Sequence, residues 1–132
     1  MALVADASII LAWAFEEQFA DAEATLERVR REELAVPTIW WFEVRNVLIL
    51  KERGGQRSER QNAGFLRALS RLTIRIDDLP AETAVLTLAR RHRLTVYDAA
   101  YLELALREGL ELATLDTELA DAARAEGVPL VA

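Results

Sequence analysis

The sequence predicts an α/β fold: one central, mostly parallel sheet flanked by helices. Short apolar runs alternate with longer helical patterns, which is the signature of strands joined by helical crossovers. The three prolines, Pro37, Pro80 and Pro129, fall between the periodic segments rather than inside them. The chain has 132 residues, 52% of them hydrophobic, enough for a single domain (1–132) with a core that needs no staples.

The elements follow in order. Ala2–Ala5 reads as a first strand, followed by a helix from Ala7 to about Glu17 and another from Ala20 to about Glu33. Leu34–Val36 is a short strand stopped by Pro37. Thr38 is placed to cap a long helix that Gly54 and Gly55 end near Arg53, and Ser58 caps the next, to about Ser70. Thr73–Ile76 alternates as a strand. A helix runs from Pro80 to about His92, and another from Thr95 or Tyr97 to near Gly109. Leu112–Thr114 is a strand, Asp116 opens a helix ending near Gly127, and Val128–Val131 reads as a last strand.

Composition narrows the chemistry. There is no cysteine, so disulfides and thiolate metal sites are excluded. The net charge of −6 argues against gripping nucleic acid by bulk charge alone. No apolar run approaches membrane-spanning length, because Glu16 and Glu17 end the first and Lys51 and Glu52 the longest. The N-terminus lacks the basic and apolar regions of a signal peptide, so a cytoplasmic protein is expected.

In such sheets ligands bind beyond the carboxyl ends of the strands, which directs attention to four acids. Asp6 directly follows the first strand and Asp116 the strand at 112–114. Each also suits the N-cap of the next helix, an ordinary use of aspartate. Asp98 lies in Thr95-Val96-Tyr97-Asp98, where Thr-x-x-Asp is also a capping-box pattern. Glu43 sits in a helix apolar over most of its circumference, where a carboxylate is costly unless paired. Asn46, three residues on, shares its face; Arg45 or a distant arginine offers a structural salt bridge instead. Carboxylates about 4 Å apart repel by roughly 4 kcal/mol per pair at an effective dielectric of about 20. A cluster of four therefore calls for protons or a cation, and an all-oxygen set selects Mg²⁺ or Mn²⁺. His92, the only histidine, lies in a basic helix C-terminus and reads as a solvated turn.

Asp6, Glu43, Asp98 and Asp116, in this order on an alternating α/β chain, resemble the acidic quartet of PIN domains. Asp6-Ala-Ser8, Glu43-Val-Arg-Asn46, Tyr97-Asp98-Ala-Ala-Tyr101 and Thr114-Leu-Asp116 are similar to the family's four motifs, and the resemblance spans nearly the whole chain. It implies a three-layer sandwich and Mg²⁺- or Mn²⁺-dependent cleavage of RNA, by water activated on the metal. Small bacterial members are similar to VapC toxins, usually homodimeric and blocked by a small VapB-like antitoxin. The resemblance assigns the four acids to catalysis and metal ligation, and Ser8, Asn46 and Thr114 to supporting roles, with Asn46 tying down Glu43. The consecutive Trp40, Trp41 and Phe42 cannot all face one core; part of the set suits a dimer or antitoxin surface.

Two other classes fit parts of the pattern. A Mg²⁺-dependent phosphatase on a similar sheet would use an Asp nucleophile after a strand, but lacks a second Asp at Ser8 or a late lysine, Lys51 being the only lysine. A non-catalytic interaction module would use the acids as caps and salt bridges. RNA processing without a toxin role is a variant of the first reading.

Overall fold

The computed structural model describes residues 1–131. Four strands, β1 (Ala2–Ala5), β2 (Glu33–Pro37), β3 (Ile74–Asp77) and β4 (Leu112–Ala113), form one sheet in the order β3-β2-β1-β4, every pair parallel. The crossovers are helical: α1 (Ala7–Ala14) and α2 (Ala20–Val29) join β1 to β2. α3 (Ile39–Arg53) and α4 (Glu59–Leu69) lead to β3. α5 (Glu82–His92) and α6 (Val96–Glu108) lead to β4, and α7 (Thr117–Ala125) follows. Parallel neighbours require such crossovers, and helices over both faces explain why β1 is apolar throughout, with Leu3, Val4 and Ala5 buried.

The order matters for function. From β1 the chain moves outward through β2 to β3, then returns to place β4 on the other side of β1. The connections leaving β1 and β4 therefore diverge, opening a crevice at their carboxyl ends. Asp6 and Thr114 follow those two strands.

Local chemistry accounts for most helix ends. Asp6, Ser58, Thr95 and Asp116 each cap a helix by accepting a backbone N–H, and Ser58 and Gln61 form a reciprocal capping box. Thr38 does not cap α3: it adopts helical backbone angles and its hydroxyl donates to the carbonyls of Asp77 and Asp78, tying β2 to the end of β3. Gly109, with φ +66, closes α6 in the left-handed conformation. α1 ends at Ala14, three residues earlier than its pattern predicts, and Glu16 turns the chain with φ +54.

Two further expectations are corrected. The last strand is reduced to a single bridge, Leu130 beside Leu112, held by Leu112 N–H to Pro129 O and Val131 N–H to Leu112 O. β4 is only two residues long and offers little edge to pair. Helix α3 is not enclosed. Only Trp40, Val44 and Leu48 are buried, along one stripe, while Trp41, Phe42, Ile49 and Leu50 are exposed, Phe42 at 58%. An apolar circumference here marks a helix with one face in the core and another bare.

A polar network fixes the other end of α6. Glu103 is buried, accepts from Arg107 of its own helix at 2.8 Å and from the Ala81 backbone N–H at 3.2 Å, and Arg107 also reaches Asp77 at 2.7 Å. These contacts anchor the turn before α5 and the end of β3. His92 is likewise not a solvated turn residue: its ring stands 2.6 Å from Glu126.

Candidate active site

Four stretches of chain separated by tens of residues meet at the crevice. Asp6, Ser8, Glu43, Asp98, Tyr101 and Asp116 line one cavity of about 250 Å³, with Leu11 and Val47 on its walls. β1 delivers Asp6, α3 delivers Glu43 from its second turn, α6 delivers Asp98 from its first turn, and Asp116 caps α7.

Asp6 is the deepest acid, 4% exposed. One carboxylate oxygen accepts from the Ser8 hydroxyl and the other from the Thr114 hydroxyl. Ser8 Oγ in turn accepts the Leu115 backbone N–H at 3.0 Å, and Thr114 Oγ1 accepts that of Asp116 at 3.0 Å. The two hydroxyls therefore stitch the β1 and β4 ends together and orient Asp6 between them. The bond from Ile9 N–H is long at 3.4 Å, so capping is the lesser of its engagements.

Glu43 accepts from the Tyr101 hydroxyl at 2.6 Å. Asn46 is exposed, and among the described residues no hydrogen bond joins it to Glu43. Tyr101 is the residue sequence reasoning did not single out. The available signal was its place three residues after Asp98, on the same face of α6. Asp98 is held by its backbone: its N–H donates to Thr95 Oγ1 at 3.1 Å. Only that half of the capping box is made, and the carboxyl faces the cavity instead of the helix start.

The site's electrostatics are those of crowded acids. Burial pushes the Asp6 carboxyl above its ordinary range, partly opposed by the Ser8 and Thr114 hydroxyls. Burial also raises Glu43, against the Tyr101 bond. Asp98 is pushed up to about 6, first by desolvation and then by Asp116, Asp6 and Glu43. Burial and the neighbouring Glu43 carboxylate raise the Tyr101 phenol, which remains a neutral donor.

Does this set suit a divalent ion? The donors are all oxygen and carry excess negative charge, which is the chemistry of a hard cation site. Among the described residues no three acids stand close enough to ligate one ion together. The carboxyls instead stand around an open cavity, an arrangement that suits an ion bound through one or two carboxylates while keeping part of its water.

The PIN-domain family profile matches residues 3–125. This chain belongs to the PIN-domain family. A curated relative, Ribonuclease VapC3 of Pyrobaculum aerophilum, is 35% identical over 126 residues, covering 92% of this chain and 94% of the relative. Among solved structures, this PIN domain is similar to PAE2754 from Pyrobaculum aerophilum, at 27% identity and TM-score 0.72 over 92% of this chain and 87% of that one. It shares the fold of VapBC2 from Rickettsia felis bound to a promoter DNA fragment, with TM-score 0.68 over 98% and 97% of the two chains at 16% identity. Among the described residues, no helix of this PIN domain is long and apolar enough to cross a membrane.

Proposed function

We propose that this PIN domain is a divalent-metal-dependent endoribonuclease, acting in the cytoplasm as the toxin of a toxin–antitoxin pair. One observation carries the reading: four acids from four segments line one cavity at the switch point of the sheet, with the Asp6, Glu43 and Asp98 carboxyls raised and no cationic side chain in the lining. Four converging carboxylates oppose folding, so their assembly suits a role outside stability. The 35% identical relative is a ribonuclease of the VapC type, which supports RNA as the substrate.

Asp6, Asp98, Asp116 and Glu43 would hold Mg²⁺ or Mn²⁺, directly or through water. When bound, such an ion supplies charge neutralisation for a phosphodiester and activation of water for its hydrolysis. The chain's own residues do the rest. Ser8 and Thr114 fix both oxygens of Asp6. Tyr101 donates to one oxygen of Glu43, which lines the cavity, and leaves the other without a protein donor among the described residues. Asp98, raised to about 6, must lose its proton as the site fills, which makes loading pH-dependent. Leu11 and Val47 limit water on one side.

The bare face of α3 supports two partners. Trp41, Phe42, Ile49 and Leu50 form an apolar surface of the kind that pairs in a homodimer, or that a VapB-like antitoxin covers. The relatedness to a VapC ribonuclease favours the antitoxin, and the dimer rests on the exposed apolar face alone.

Cleavage of total cellular RNA by the purified protein tests the reading, with Mg²⁺ or Mn²⁺, with chelator, and beside Asp98→Asn. Discrete fragments that require both the metal and Asp98 support it. Intact RNA under every condition, from a protein that binds Mn²⁺, refutes it.

A further inference from the structure

The acid-lined cavity does not end at Leu11 and Val47. Ala7, Leu11 and Phe15 follow one another at four-residue intervals along α1 and its C-terminal cap, and Glu43, Val47 and Lys51 do the same on α3, which packs against it. The first two of each row line the acid cavity. Phe15 and Lys51 line a second, more open cavity of about 530 Å³, together with Gln56, Arg57, Gln61 and Glu17. The two rows therefore set the two cavities in line along the α1–α3 contact. Eight residues of helix separate Glu43 from Lys51, or about 12 Å.

The chemistry changes along this line. Lys51 Nζ stands 5.6 Å from the Phe15 ring centre and the Arg57 guanidinium 5.5 Å from it. Arg57 is fixed by neutral acceptors, the Ala14 carbonyl at 2.9 Å and Asn62 Oδ1 at 2.9 Å. Among the described residues Lys51 and Arg57 are outside the ion pairs that hold Arg28, Arg30, Arg75, Arg91, Arg107 and Arg124, as are the chain's other arginines; what sets these two apart is the aromatic ring they share. Gln61 accepts the Ser58 N–H through its oxygen, which leaves its amide N–H₂ free for a ligand. Three acids stand at this end: Glu17 lines the same cavity and is exposed, Glu16 shares the neighbouring cavity with Arg57, and Glu52 accepts from Asn62 Nδ2 at 2.7 Å. Two cations outside any ion pair, both over one aromatic ring at the end of an acid-lined cavity, supply the donors that an anion contact needs.

We propose that Lys51 and Arg57 form a phosphate subsite for single-stranded RNA, holding a nucleotide neighbouring the one that is cut. This rests on the nuclease reading above. The subsite solves a problem that reading creates: the acid cavity repels a polyanion, so substrate must be held from one side while its scissile phosphodiester sits among carboxylates. Lys51 is the discriminating residue, because Arg57 also braces the α1 and α4 ends.

Lys51→Gln is tested in two backgrounds. In Asp98→Asn, which holds RNA without cutting it, fluorescence anisotropy with a short labelled single-stranded RNA reads affinity against salt. In the otherwise wild-type chain, cleavage reads KM and kcat. Lys51→Gln should weaken binding about five- to tenfold and reduce the salt slope by about 0.7, the loss of one phosphate contact. It should raise KM with kcat nearly unchanged, and Lys51→Arg should restore both. Arg124→Gln, the same charge change at an ion-paired site on α7, should leave the slope as it was. Equal effects of Lys51→Gln and Arg124→Gln would overturn the subsite. So would unchanged RNA binding with weakened binding of a poly-glutamate peptide, which would make the Lys51 end a protein site. A wild type that cuts no RNA removes the nuclease reading and the subsite together, while normal cutting by Lys51→Gln removes the subsite alone.

Discussion

Asp98→Asn should make the metal-free protein more stable at neutral pH, an unusual direction for a substitution in a candidate active site. The Asp98 carboxyl titrates near 6 in the folded chain against an ordinary value of 3.8. Its ionisation therefore opposes folding. The stability carried by its neutral form is intact below about pH 4 and is lost as the pH rises through about 6. At full strength that displacement corresponds to roughly 3 kcal/mol. Asp98 is only partly buried, so solvent screening reduces it to on the order of 1 to 1.5 kcal/mol. Asparagine carries no charge, so it escapes this cost at every pH. In chelator at neutral pH the variant should melt about 3 to 6 °C above the wild type for a domain of this size. The gap should close as the pH approaches 4. Added Mg²⁺ should reverse the order, since a ligand at 100 times its Kd adds about 2.7 kcal/mol to the protein that binds it. Urea or thermal unfolding followed by tryptophan fluorescence reads all three. A variant less stable than the wild type in chelator, or a gap indifferent to pH, would refute the idea that the four acids strain the empty site.

Thr114→Val removes the hydroxyl that orients Asp6 and should weaken Mn²⁺ binding by about 10- to 100-fold in calorimetry, with the circular dichroism spectrum retained. Tyr101→Phe frees Glu43; we expect about tenfold slower cleavage and a loss of about 1 kcal/mol in urea unfolding. Glu103→Ala leaves the Ala81 N–H without its acceptor and Arg107 with Asp77 as its main partner, and should cost about 2 to 3 kcal/mol without touching metal affinity. Phe42→Glu places a charge on the bare face of α3 and should shift a dimer toward monomer in sedimentation velocity while leaving the monomer's melting point unchanged.

What the sequence carried, and what it did not, divides along contact range. Asp6 and Asp116 were legible because each stands just beyond a short apolar run and starts a helix, and those local facts fix both ends of the β1–β4 crevice. Ser58 announced its helix for the same reason. The Glu43–Tyr101 bond joins residues 58 apart; spacing puts Tyr101 on the Asp98 face of α6 but does not say which residue of α3 it meets. Asn46 shares the general face of Glu43 by spacing, but spacing does not say which neighbour lies across the cavity. The exposure of α3 was misread because hydrophobicity reports only that a surface prefers to be covered, not whether this chain or another covers it. Thr38 was assigned a local cap and instead serves a tertiary bond to the end of β3.

The same geometry explains why capping and site-building were never competing roles for these acids. Asp6 caps α1, Asp116 caps α7, and Asp98 lies in the first turn of α6, so three helix N-termini converge on one cavity. Each brings a partial positive charge and backbone N–H groups, which favour a carboxylate within the first turn. That attraction offsets part of the repulsion among the acids, without which a crowded carboxylate cluster would be hard to keep in a domain of marginal stability. It is not enough to cancel it: Asp6, Glu43 and Asp98 all remain above their ordinary ionisation range. The residual strain is what a divalent ion would relieve. Glu43, the one acid from the middle of a helix rather than its start, has no such dipole and relies on the Tyr101 hydroxyl instead. Its orientation therefore depends on a single neutral donor, which makes Tyr101 the contact through which α6 and α3 keep the cavity in register.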